Sequence, residues 1–259
     1  MLEAVVIFTA GIWAGGINVI VGSGTLVTFP TLLLFGYPPI TANVSNNIGM
    51  VAGGVSGVYG YRHELTPNRA LLVRLAPASI LGALTGALLL LVLPAESFKA
   101  IVPVLIAISL LMVLVGPSIQ RRAARRNAEL GRAEGTQTRS VQVLFFAGIF
   151  VLGMYGGYFG AAQGILLVGL MSMVLSAGIQ RITAIKNVLA TLVNAVAAVT
   201  FMVVAWDRID WSMVGLIAGG SFIGGYLGAR IGRRLPPAIL RAMIVIIGVV
   251  ALVKILFLD

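Results

Sequence analysis

Gly15–Pro30, GGINVIVGSGTLVTFP, begins and ends in apolar residues yet sets Asn18, Ser23 and Thr25 among closely spaced glycines. Such a stretch predicts an interrupted helix, and an interruption leaves backbone amides and carbonyls without partners. Inside a membrane, non-helical backbone is tolerated only where protein or a water-filled cavity meets those groups. The surrounding composition decides whether that constraint applies.

Of 259 residues, 59% are hydrophobic and 10% charged, with a mean hydropathy of +1.05. That leaves too little polar surface for a water-soluble globule and predicts an all-α polytopic membrane protein, since helices satisfy their own backbone in lipid. The first segment, lacking a basic n-region, is expected to be a retained helix rather than a leader. No soluble catalytic domain is expected. The absence of cysteine excludes disulfides and thiolate chemistry.

The interruption has a partner. Shifting the chain by 142 residues (153 − 11) superposes Gly11 on Gly153, Gly15 on Gly157, Gly22 on Gly164 and the ITA of Ile40–Ala42 on that of Ile182–Ala184. The constant offset indicates an internal duplication: residues 1–116, a basic linker at 117–140, and residues 141–259. Each copy carries five apolar segments, about 2–21, 24–36, 40–61, 70–93 and 98–116, then 141–160, 164–178, 182–206, 211–230 and 237–257. Five per copy makes ten membrane segments in two inverted repeats with short, broken helices at the centre. If the short second segment instead re-enters, each copy keeps four spans and the repeats are parallel.

Charge favours the first arrangement. With ten alternating segments, 15 of the 18 basic residues, among them Arg62, Arg69, the linker arginines, Arg181 and Arg230–Arg241, fall on one face. Only Lys99, Arg208 and Lys254 fall opposite. By the positive-inside tendency the linker is then cytoplasmic, both termini are outside, and the +10 charge is explained without nucleic acid.

Short, glycine-interrupted segments at matching places in two inverted halves point to a transporter's central site. Helix N-termini restarting near Ser23 and Gln163 present positive partial charge suited to an anion. The third segments add Asn43, Ser45, Asn46 and Asn47 in one copy and Lys186 and Asn187 in the other. Taken singly, each of these residues is read equally well as a helix–helix hydrogen-bonding group. Together with Asn18, Gly22, Ser23, Gly24, Thr25, Gln163 and Gly164 they form a symmetric candidate set for a small anion. Lys186 could contact that anion or snorkel to the interface. His63, beside Arg62 and Glu64, reads as a loop residue, and the glycines at 49, 53 and 57 and at 220, 224, 228 and 232 read as packing faces. No buried carboxylate is expected, so neither an enzyme, a metal nor a cofactor is. A homo-oligomer stays open.

LVTFPTLLLFGYPPITANVSNN after the first break, and GGSFIGGYLGARIGRRLPPAILRAMIVIIGVVALVKIL near the C-terminus, resemble the TauE/SafE sulfite exporter family along almost the whole chain. The resemblance implies a permease for sulfite, an organosulfonate such as sulfoacetate, or a related anion; an anion channel could use the same dipoles and amides, but inverted repeats favour an exporting carrier. The chain departs from the family's denser glycine run at Ser23–Thr25 and Ala161–Gln163.

Overall fold

A computed structural model of the chain describes residues 1–129, 139–175, 177–231 and 237–257. The expectations for Arg132, Gly232, Arg233 and Arg234 lie outside the described residues. Eleven α-helices appear among the described residues: α1 (Leu2–Ile20), α2 (Thr25–Leu34), α3 (Pro39–Gly60), α4 (Arg62–Leu65), α5 (Arg69–Val92), α6 (Ala95–Glu129), α7 (Arg139–Tyr158), α8 (Gln163–Val174), α9 (Ile179–Val204), α10 (Trp211–Ile231) and α11 (Pro237–Phe257). Apart from the single turn of α4, each overlaps an expected segment, but α6 runs on as helix through residues 117–129 of the expected linker. Among the described residues seven regions are long and apolar enough to cross a bilayer, while α2 and α8 are short and apolar. At about 1.5 Å per residue, helices of 10 and 12 residues cover only about half of a hydrocarbon core. The 22-residue α3 is long enough but polar, and it buries Asn43, Ser45, Asn46 and Asn47.

The packing units draw on both halves of the chain. Helices α1, α3 and α10 pack together, as do α5, α7 and α9, and the two groups meet where α3 touches α9; α2, α6, α8 and α11 form the remaining layer. Small residues set the closest approaches. A Cβ added at Gly224 would lie 1.8 Å from the Ile12 carbonyl oxygen, and one at Gly86 would lie 1.9 Å from that of Met154. Ser221 stitches α10 to α3, its hydroxyl accepting from the Gly53 amide at 3.1 Å and donating to the Gly49 carbonyl at 3.0 Å. The glycines at 49 and 53 thus form a packing face against α10.

These contacts refine the expected register. Gly15 meets Ser221 and Gly153 meets Ser79; the serines are 142 apart (221 − 79), but the glycines are one turn closer in sequence (153 − 15 = 138). The fourth helices therefore match at the ungapped offset while the first helices match one turn earlier.

Hydrogen bonds order the ends. Tyr37 donates to Glu3, and Lys254 donates to the carbonyls of Leu33 and Leu34 at 3.3 and 2.9 Å. The start of α1 and the ends of α2 and α11 therefore share one end of the bundle, so α2 returns to the end from which α1 started. At the opposite end Arg181 donates to Asn68.

Candidate functional site: two breaks face to face

Both breaks are closed by glycine in the left-handed region. Gly22 (φ +90°) and Gly160 (φ +79°) donate their amides to Ile17 and Tyr155 carbonyls at 3.0 and 3.1 Å, a common way to satisfy the last carbonyls of a helix. The second break is more strained: Ala162 holds φ +60°, the one positive φ at a non-glycine among the described residues, a conformation unfavourable to a side chain. It is buttressed by the Tyr155 hydroxyl, which donates to the Ala161 carbonyl at 2.6 Å and pairs with Ser109 at 3.0 Å. Phe159 stacks edge-on against Phe29 with centroids 5.2 Å apart.

The two breaks touch. The Gly164 amide donates to the Gly22 carbonyl at 3.0 Å, and a Cβ at Gly164 would sit 2.5 Å from the Gly22 Cα. Gly24 lies against Ala14, Asn18 and Met50, beside the middle of α3. Each half then supplies a cap for the other. Lys186, 1% exposed, donates from Nζ to the Asn18 and Val19 carbonyls at 2.8 and 3.0 Å, at the C-terminus of α1. Asn43 donates from Nδ2 to the Tyr158 carbonyl at 3.0 Å, at the C-terminus of α7. A cation at a helix C-terminus complements its dipole, so Lys186 does not snorkel; it closes a broken helix inside the bundle.

The other sequence-predicted residues divide. Asn18 accepts from the Gly24 amide at 3.5 Å, a long contact, and Thr25 opens α2 half-buried. Asn46 accepts from Thr28 and so ties α3 to α2. Ser45 lies away from the centre, accepting from the Asp210 amide at 2.9 Å at the start of α10. Gln163 turns back onto α7, donating to the Leu152 carbonyl at 3.1 Å. The amides of Gln163, Gly164, Ile165 and Leu166 are occupied by Gly160, Gly22 and Ala162 carbonyls, so the start of α8 has no open donors for an anion.

Some buried polar atoms have no hydrogen-bond partner. Ser23 Oγ, Asn43 Oδ1, Asn47 Oδ1, Tyr158 OH and Asn187 Nδ2 are buried without a hydrogen-bond partner; the one further such atom among the described residues is Arg241 Nε. Burying polar atoms unsatisfied costs about 1–3 kcal/mol each, so these five are atoms that a ligand or water would satisfy. Tyr158 was not singled out from sequence. An apolar cavity of about 490 Å³ between α6, α7 and α8, lined by Gly116, Gly148, Ile165 and Gly169 among others, has no side-chain donor for an oxyanion.

Comparison with known proteins fits this architecture. The family model "Sulfite exporter TauE/SafE" matches residues 7–255. The chain belongs to the TauE/SafE family. This TauE/SafE protein is similar to the probable membrane transporter protein ORF9 of Sinorhizobium sp. (27% identity over 253 residues, 96% of this chain and 91% of the relative). It is also similar to the probable membrane transporter protein YfcA of Escherichia coli K12 (26%, covering 97% and 89%) and to YdhB of Bacillus subtilis (24%, covering 99% and 100%). No solved structure matches it significantly. The TauE/SafE chain is a multi-pass membrane transporter, not an enzyme.

Proposed function

We propose that the protein is a secondary carrier that exports a small sulfur oxyanion, sulfite or an organosulfonate such as sulfoacetate, by alternating access of a site between the two breaks. The observation that carries this reading is the set of unpartnered buried atoms drawn from both halves of the chain, the donors Ser23 Oγ, Tyr158 OH and Asn187 Nδ2 beside the acceptors Asn43 Oδ1 and Asn47 Oδ1. A tetrahedral or pyramidal oxyanion carries oxygens in several directions, and donors from opposed helices can surround it where one helix end cannot. Hydroxyls and amides bind it without the deep trap of several buried cations. The inverted arrangement of residues 1–116 and 141–259 is supported by the hydrogen bonds exchanged between Lys186 and α1 and between Asn43 and α7. The basic linker is assigned to the cytoplasm on charge, and the inside-negative potential then favours anion exit by about 2.3 kcal/mol per charge at 100 mV.

Reconstitution into proteoliposomes tests this. Saturable flux of sulfite or a sulfonate, accelerated by preloading the opposite side with the same anion, is expected. Flux that rises linearly with concentration and shows no such exchange would refute a carrier in favour of a channel.

A further inference from the structure

Lys186 is the one charged residue among the buried polar and charged residues described. Its ammonium carries three protons, and two of them meet the Asn18 and Val19 carbonyls. Carbonyls offer partial charge only. No carboxylate stands with Lys186 in the buried set, so a protonated Lys186 has no buried counter-ion of its own, and an unpaired buried charge is strongly unfavourable. Lys186 Cδ lies against Gly164, whose amide binds Gly22. The neighbouring unpartnered groups are Ser23, one residue beyond Gly22, and Asn187, one residue beyond Lys186. Two carbonyls thus leave the ammonium's third proton for a further acceptor at the end of α1, beside the contact of Gly22 with Gly164.

The unmet acceptors bear on which anion the breaks would take. Asn43 has its Nδ2 committed to the Tyr158 carbonyl, which fixes its buried Oδ1 as an unmet acceptor. A fully deprotonated dianion would face that oxygen with repulsion and would leave the crossing with net negative charge. A singly charged anion neutralises Lys186, and one that also carries an O–H or N–H satisfies Asn43 as well.

Resting on the carrier reading above, we propose that the site takes an anionic head of one charge, with Lys186 as its counter-ion, and discriminates against a dianion of the same shape. Sulfite would then be carried as hydrogen sulfite, and an organosulfonate would be held through its singly charged sulfonate.

Sulfamate, methanesulfonate and sulfate are near-isosteric tetrahedral probes that differ in charge and donors. Calorimetry on the purified protein in detergent at neutral pH is expected to give dissociation constants for sulfamate and methanesulfonate at least tenfold below that for sulfate, with sulfamate the tighter of the two. Lys186→Gln is expected to weaken both monoanions at least a hundredfold. Sulfate binding as tightly as methanesulfonate would overturn the charge selection while leaving the carrier reading intact if sulfite or sulfonate flux persists. Unchanged monoanion binding by folded Lys186→Gln would reduce Lys186 to a helix cap and overturn the counter-ion role. Should that variant fail to fold, the wild-type comparison of the three probes decides the question. Absence of both binding and flux for every sulfur oxyanion would instead overturn the carrier reading itself.

Discussion

Gly164→Ala is the most direct perturbation of the facing breaks. The added methyl would lie 2.5 Å from the Gly22 Cα, 2.9 Å from the Gly22 carbonyl oxygen and 2.9 Å from Lys186 Cδ. Carbon atoms rest about 3.5–4.0 Å apart, so the breaks must separate by roughly an ångström. Overpacking of this kind costs about 1–3 kcal/mol. Separation also stretches the 3.0 Å bond from the Gly164 amide to the Gly22 carbonyl, worth about 1 kcal/mol, for a total of about 2–4 kcal/mol. Gly169→Ala in the same helix is the control, because no atom lies within 4 Å of its added Cβ, and alanine there raises helix propensity. Unfolding of the two variants in a graded denaturing detergent, with flux from proteoliposomes, separates the cases: Gly164→Ala should lose both stability and transport while Gly169→Ala keeps both. A Gly164→Ala protein with wild-type stability and flux would mean that the breaks do not meet as described.

Three further outcomes follow from the same geometry. Ser45→Ala removes the acceptor of the Asp210 amide and should cost about 1 kcal/mol of stability with transport retained, whereas Asn47→Ala and Asn187→Ala, which delete unpartnered atoms, should lower flux at unchanged stability; unfolding curves and flux measured side by side distinguish them. Tyr155→Phe removes the 2.6 Å bond to the Ala161 carbonyl and should destabilise the second break by about 1 kcal/mol, read as a lower unfolding midpoint. Single cysteines at Arg125 and Asp207, both exposed, should show opposite accessibility to an impermeant thiol reagent on intact cells, Asp207→Cys labelled and Arg125→Cys protected; labelling of both would refute the assignment of the linker to the cytoplasm.

Helix positions were legible because apolar runs of bilayer length leave little choice of structure. The breaks were legible because glycine and polar residues are costly inside such runs. Charge could separate the end bearing Arg181 from the end bearing Lys254, but not foresee that Lys254 would close the C-terminus of α2. Side-chain direction was the hidden part. Ser45 and Asn47 are two residues apart on one helix and so point to different neighbours: Ser45 takes the Asp210 amide at the start of α10, while Asn47 Oδ1 stays unpartnered. Gln163 had the composition of a ligand residue but sits behind the strained Ala162, which turns it onto α7. The one-turn difference in register was invisible because glycines recurring every fourth residue align equally well when slipped by four.

The packing also constrains how access could alternate. Within the α1, α3 and α10 group, Gly15, Gly53 and Gly224 bring backbones into direct contact, and Gly86 and Gly157 do the same between α5 and α7. Close-packed surfaces of this kind resist sliding. The two groups face each other through Gly54 against Thr191, through Lys186 on the end of α1, and through Asn43 on the end of α7. Relative motion therefore falls on the α3–α9 contact, and it cannot proceed without rearranging the Lys186 and Asn43 caps. Those caps are made by the same helices that carry the unpartnered Asn47 and Asn187, so a ligand engaging those two side chains would act directly on the elements that hold the two groups in register.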